Sequence, residues 1–411
     1  MEEKRLRKSR EELAMDAKAL GMDLSYMPEI LVENIFKMGQ KDWELSMKNG
    51  IGSSGACAAI GKSPYKTAAE VALEKAYGKV KPLPEDPETQ YRLNSGHMQE
   101  VPLLKWYAAC LGYVVALTDP DNPATSDIKD VTEITQKEWD SWEGKGVVCV
   151  DHARYRHPQY PFMFIDMDGV CFTPEREMYV LECKTADAGE FKWNWKSGVW
   201  GDGKASVGNL GYIDQARQHM CVSNSDRVDI IAACDFDANN NVIVTIYRDM
   251  AEEKKLIDAE SKLWNQVETG EIPSFTMLSD RSYDNIAYII TPEVLSDEPI
   301  VVDERYRGVI GEIMKLQKEN DDLKASMDKN DERVNTLKID LLQYMGSHAL
   351  ATMPSVDGYE YRLEIKSRIT NTFDSKRFKL EHPDIAAGYN KTTVGDKKLS
   401  IKESKIKKAK N

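Results

Sequence analysis

Asp168, Glu182 and Lys184 lie within one short stretch, FMFIDMDGVCFTPEREMYVLECKTAD, and their types suit phosphodiester hydrolysis. Hard carboxylate oxygens hold Mg²⁺ or Mn²⁺. A metal so held polarises a phosphate and lowers the pKa of a bound water. An ammonium nearby orients that water and stabilises the growing charge, or acts as a base if its pKa is depressed. Glu182 and Lys184 are separated by one residue, so on a strand they share a face. An exposed strand also carries Glu and Lys for solubility, and the pattern alone leaves both readings open.

These groups need a hairpin to meet. Phe162–Ile165 and Val170–Phe172 are apolar runs around the polar Asp166–Gly169. Thr173–Glu177 reads as a turn and Met178–Cys183 as a second β-rich run, so the two runs predict a hairpin that brings Asp168 beside Glu182 and Lys184. Around it, residues 1–45 read as helical, with Leu13, Ala17 and Leu20 at helical spacing. Gly50–Gly55 is a small-residue turn before a short helix at Ala56–Ile60, and Thr67 caps the next helix. A helix is predicted from about Asn94 to Leu111, stopped by Gly112. Another spans Tyr212–Val222; strands at Arg227–Cys234 and Val242–Tyr247 follow, then a helix over 249–270. Residues 274–302 read as a linker with short strands. From Val309 to Tyr344 apolar residues alternate three and four apart, a heptad seam broken by Asn320 and Asn330. It predicts one long helix, or a hairpin turning at Asp328–Asp331. Tyr359–Ile365 begins a small β-containing module.

Composition narrows the class. The chain has 411 residues, 41% hydrophobic and 30% charged, which fits two or three soluble globular units. No apolar run is long enough for a membrane span, and the charged N-terminus lacks a signal-peptide core, so a cytoplasmic protein is expected. Seven cysteines are scattered without a CxxC pair, which argues for reduced buried thiols over a zinc ribbon or iron–sulfur cluster. The net charge of -13 argues against a passive nucleic-acid coat but not against a nucleic-acid enzyme, whose binding depends on local patches. The tail KTTVGDKKLSIKESKIKKAKN is strongly basic. The loop GEFKWNWKSGVWGDGK interleaves Trp193, Trp195 and Trp200 with Lys192, Lys196 and Lys204, which suits stacking on a DNA strand as well as packing on its own domain.

The Asp168/Glu182/Lys184 stretch resembles the PD-(D/E)XK nuclease motif, and its flanks resemble the YqaJ-type viral recombinase family, relatives of the phage lambda exonuclease. NGIGSSGACAAIGKSPYKTAAEVALEK resembles that family's GIGGSDAAAILG-SPY opening, and SGHMQEVPLLKWY its GxxxE helix. GYIDQARQHMCV and AEEKKLIDAESKLWNQVETGEIPS, with Trp264, resemble the two later helices; FDSKRFKLEHPDIAAGY resembles a C-terminal segment of longer members. The likeness covers most of residues 40–275 and, more loosely, 355–400.

The resemblance implies an α/β (α+β) fold, a restriction-endonuclease-like mixed sheet flanked by helices. It implies Asp168 and Glu182 as metal ligands with the Cys183 carbonyl, Lys184 holding the nucleophilic water, and Glu100 and Gln215 supporting the site. Asp166 competes with Asp168; the family places its carboxylate directly before the glycine, here Gly169. His97 and His219 are expected to support or pack rather than ligate. Ser53 and Ser54 would serve the DNA 5′ end. The family often has an arginine seven residues before Ser54, where Met47 stands; Lys48 is its replacement, a point charge rather than a fork. The expected organisation is an N-terminal helical extension at 1–45, a nuclease core at 46–275, a linker and long helix at 276–346, and a small C-terminal module with a basic tail at 347–411. The expected function is Mg²⁺- or Mn²⁺-dependent resection of duplex DNA ends, 5′ to 3′, for a single-strand annealing partner, by a homo-oligomer in the host cytoplasm. An endonuclease with the same chemistry, or a non-catalytic DNA-binding protein, are the alternatives.

Overall fold

The computed structural model describes residues 7–63, 66–81, 86–186, 207–234, 241–271, 273, 280–292, 296, 298–354, 360–366 and 375–388. The chain forms two units, Met1–Pro292 and Glu293–Asn411.

The first unit opens on α1 (Arg10–Ala19), where Ser9 and Glu12 form a capping box and Leu13 and Ala17 pack on Met250. Residues 1–45 are not helical throughout, however. β1 (Glu29–Val32) interrupts them, because EILV finds a strand to pair with: it runs antiparallel to residues 154–156, and Glu29 pairs with Arg156 at 2.7 Å. After α2 (Gln40–Lys48) come β2 (Ile51–Gly52), a 3₁₀ turn at Ser53–Gly55 and α3 (Ala56–Ala59). Thr67 and Glu70 box the start of α4 (Ala68–Tyr77). α5 (Pro87–Leu111) starts earlier than the expected Asn94, since Asp86 caps it and Pro87 suits its first position; Gly112, at φ 68°, ends it as expected.

The short strand β3 (Val114–Val115) and helix α6 (Gln136–Ser141) precede β4 (Val147–Cys149), β5 (Arg154–Arg156) and β6 (Met163–Ile165). Then come β7 (Gly169–Phe172), β8 (Met178–Ala186), α7 (Val207–Ser223), β9 (Arg227–Cys234), β10 (Val242–Tyr247) and α8 (Met250–Thr269). The predicted hairpin is β7–β8, antiparallel with Gly169 opposite Leu181. It lies inside a six-stranded mixed sheet of order β10-β9-β8-β7-β4-β3, in which β8 and β9 run parallel. A four-stranded sheet, β1-β5-β6-β2, stands beside it.

Side-chain alternation assigns the faces of β8. Tyr179 hydrogen-bonds Tyr107 of α5, whereas Glu182 meets Gln215 of α7, so the two helices cover opposite faces. The result is a mixed sheet flanked by helices, as expected, with Leu104, Val148, Val180, Leu181, Met220 and Ile230 in its fully buried core. The segment expected to be a linker instead holds α9 (Asp280–Ile290), whose Ile286 and Ile289, a helical step apart, bury against Leu73.

In the second unit α10 (Arg307–Met345) is one continuous 39-residue helix, so no hairpin forms at Asp328–Asp331. β11 (Leu350–Pro354) and β12 (Glu360–Glu364) pair antiparallel, and two short helices follow, α11 (Ser375–Glu381) and α12 (Pro383–Gly388). Trp193, Trp195, Lys196 and the basic tail lie outside the described residues.

Candidate active site

Asp168 sits immediately before β7, and the first residue of that strand explains its position. A Cβ on Gly169 would meet the Leu104 side chain at 2.8 Å, so glycine lets Leu104 of α5 pack directly on the strand, and a larger residue would have to displace it. The Asp168 carboxylate accepts the Cys183 backbone N–H at 2.8 Å, which fixes it against β8. Glu182, only 3% exposed, projects from β8 toward α7. Lys184 hydrogen-bonds the same carboxylate oxygen that accepts Gln215 Nε2 at 2.6 Å. His219 Nε2 lies 3.0 Å from the other oxygen, an electrostatic contact outside aligned hydrogen-bond geometry, and neither ring nitrogen of this buried histidine has a hydrogen-bond partner among the described residues. Lys184 Nζ stands 5.2 Å from the Tyr212 ring centroid. Tyr212, Gln215 and His219 are three and four apart, so one stripe of α7 serves the site.

The electrostatics are those of a site with excess negative charge. Burial and the charge of Glu182 push Asp168 well above the usual carboxylate range. Burial alone would raise Glu182 too, but Lys184 and His219 outweigh it and hold the carboxyl at about 2. Lys184 is opposed by burial and overruled by Glu182 and Asp168, which raise it above its ordinary value and keep it an ammonium. Burial and the neighbouring Glu182 make ionised Asp168 costly, and a divalent cation between the two carboxyl groups would offset that cost. Among the described residues no three His, Cys, Asp or Glu side chains converge as a ready-made cage. Mg²⁺ needs none, because it keeps several waters and binds through one or two carboxylates plus substrate phosphate. Asp168, Glu182 and the Cys183 carbonyl therefore fit such an ion.

Glu100, on α5, is close enough to raise Asp168 further, and it takes a 2.9 Å contact from His97 Nδ1. Asp166, the competing carboxylate, is engaged elsewhere: fully buried Arg154 grips it with two hydrogen bonds of 2.7 and 2.6 Å and reaches Ser46 Oγ at 2.5 Å. Arg154 and Tyr212 carry no sequence signal for this; an arginine on a short strand reads as solvated, and only the fold buries it.

The Ser53–Gly55 turn packs on α7, with Ser53 buried and Ser54 exposed. Gln218, on another stripe of that helix, donates to the Ile51 and Phe164 carbonyls at 2.8 and 3.1 Å and so fastens the smaller sheet beside the site. Lys48 extends over Gly78 at the C-terminal end of α4, and no hydrogen bond joins it to Ser53 or Ser54 among the described residues. The structure thus brings Asp168, Glu182, Cys183, Lys184, Gln215 and Glu100 together, puts the serine turn on the same helix, and sets Lys48 against α4. A groove of about 640 Å³ lined by Lys62, Asp214, Arg217 and Lys262 lies along α8 and contains none of these residues.

Solved structures similar over just over half of this chain include the following. The alkaline exonuclease (LHK-Exo) of Laribacter hongkongensis is 14% identical, over 56% of this chain and 94% of that one, with a TM-score of 0.38. Its complex with dAMP gives 13%, 56%, 96% and 0.38. A phage-related exonuclease of Haemophilus somnus 129PT is 16% identical, over 55% and 99%, with a TM-score of 0.31. No curated protein matches the chain. Residues 42–226 match a family, and that span includes Glu100, the β7–β8 hairpin and Gln215. The family is that of the YqaJ-like viral recombinase domain.

Proposed function

We propose that this protein is a metal-dependent deoxyribonuclease that resects linear duplex DNA from an end, 5′ to 3′, and exposes single strands for an annealing partner in recombination. The observation that carries this reading is the meeting of Asp168, Glu182, Lys184 and Gln215 on one patch within the span that matches the viral recombinase family. Mg²⁺ or Mn²⁺, held by Asp168, Glu182 and the Cys183 carbonyl, would polarise the scissile phosphate and supply an activated water. The chain's own groups do the rest. Gln215 holds one oxygen of Glu182 and His219 adds an electrostatic contact to the other, the Cys183 N–H holds Asp168, and Glu100 supports them. Lys184, kept as an ammonium, donates to the water or to the phosphate oxygen on which charge grows. Ser53 and Ser54, with Lys48, are assigned to the DNA 5′ end, and Trp193, Trp195 and Lys196 to contact with the strand. The reading extends to a homo-oligomer at work in the host cytoplasm; among the described residues no helix is long and apolar enough to cross a membrane.

The test uses linear duplex DNA labelled at either end, beside a covalently closed circle, with Mg²⁺ and then EDTA. Metal-dependent loss of the linear DNA alone, beginning at the 5′ label and absent in Lys184→Ala and in folded Glu182→Ala, is expected. Cutting of the circle would replace exonuclease by endonuclease. Full activity in Glu182→Ala would remove the proposed site.

A further inference from the structure

We propose that the α10 seam is a self-association surface, on which two copies of this chain pair as a parallel, in-register, two-stranded coiled coil. Helix α10 runs without a break through all eleven seam positions, Val309 to Tyr344. Isolated helices draw most of their stability from packing an apolar face, yet Leu323 and Met327, in the middle of this seam, are 63% and 66% exposed. Five heptads exceed the roughly three or four that argue for a coiled coil. The occupant is named by the seam's own residues. Ile313 and Val334 share one core set with Asn320, Met327 and Leu341, and Leu316, Leu323 and Leu337 share the other with Val309, Asn330 and Tyr344, so leucine predominates in the second set, as it does in parallel dimers. The two polar breaks decide between self and stranger. In a parallel, in-register pair Asn320 meets Asn320 of the partner subunit and Asn330 meets Asn330 of the partner subunit. Each amide both donates and accepts, so the pairs satisfy themselves. Against an unrelated apolar helix both amides would be buried unpaired. Along the rim Glu319 faces Lys324 of the partner subunit; Arg333 faces Lys338 of the partner subunit, a like-charged pair at an exposed position where such contacts are weak.

Sedimentation equilibrium of the full chain at micromolar concentration is expected to give twice its 46.6 kDa mass. The Leu316→Glu/Leu337→Glu variant should return it to single mass and lose helical signal from α10, while the unfolding transition of the first unit is retained. Under mild oxidation Leu316→Cys should cross-link to itself, above the background that exposed Cys110 gives in the wild-type chain. An antiparallel pair can also match Asn320 with Asn330, but it brings Leu316 opposite Val334; a mixture of Leu316→Cys and Val334→Cys would then cross-link while Leu316→Cys alone would not. A monomer, a trimer, a dimer unmoved by the two glutamates, or the antiparallel cross-link overturns the proposal.

Discussion

At the scale of single residues, Glu182 is the group on which the site turns. One of its oxygens takes both Lys184 and Gln215. Gln215→Ala leaves that oxygen with the ammonium alone, and loss of such an outer contact typically costs about 10–100-fold in metal affinity or rate. Single-turnover cleavage across a Mg²⁺ titration should show this drop, and an unchanged profile would mean that Gln215 does not orient Glu182. A second prediction concerns stability. Burial, with Arg248 adding to it, lowers His157 to about 4 from an ordinary 6.5. Its Nδ1 also accepts the Gln159 and Tyr160 N–H groups, at 3.1 and 3.2 Å, which protonation would forbid. Between these pKa values the unfolded chain binds the extra proton. Stability is therefore complete above about pH 6.5 and falls as pH drops toward 4, by on the order of 3 kcal/mol. Urea unfolding at stepped pH should show this loss, and His157→Asn, which keeps an acceptor but cannot titrate, should flatten it.

At the scale of elements, the site depends on close approaches that only glycine permits. Gly50 leads into β2, where a Cβ would lie 2.4 Å from the Phe162 carbonyl oxygen, and the next residue, Ile51, donates its N–H to that oxygen at 2.6 Å. Gly50→Ala must push β2 away from β6 and move the Ser53–Gly55 turn. A cost of about 1–3 kcal/mol is expected, as for overpacking generally, read as a lower urea midpoint with an unchanged slope. An unchanged midpoint would show that the strand relaxes freely. Helix α7 links that turn to the metal ligands, since Gln218 holds β2 and β6 while Gln215 holds β8.

At the scale of the whole molecule, the chain divides at Pro292 and every described site residue lies before that point. A chain ending at Pro292 is expected to unfold in one cooperative transition and to keep metal-dependent cleavage of DNA ends. Calorimetry and the end-label assay check this together; a non-cooperative melt would show that the second unit completes the first. The net charge of -13 spans both units, so salt dependence of DNA binding should follow the local lysines and not the total.

The sequence alone determined the β7–β8 hairpin, the shared face of Glu182 and Lys184, and the long seam of α10, because period-two and heptad patterns are local and survive any packing. Block order along the chain pointed to Glu100 and Gln215, on helices far from the hairpin in sequence. Tertiary structure decided what depends on long-range neighbours. It gave Glu29–Val32 a strand partner, made a helix of Asp280–Ile290 by offering Leu73 to cover it, and buried Arg154 against Asp166, leaving Asp168 to face Glu182. Residue type gives a side chain's charge and reach, but opposing charges that only the fold brings together, overruling burial, hold Lys184 as an ammonium and Glu182 as a carboxylate.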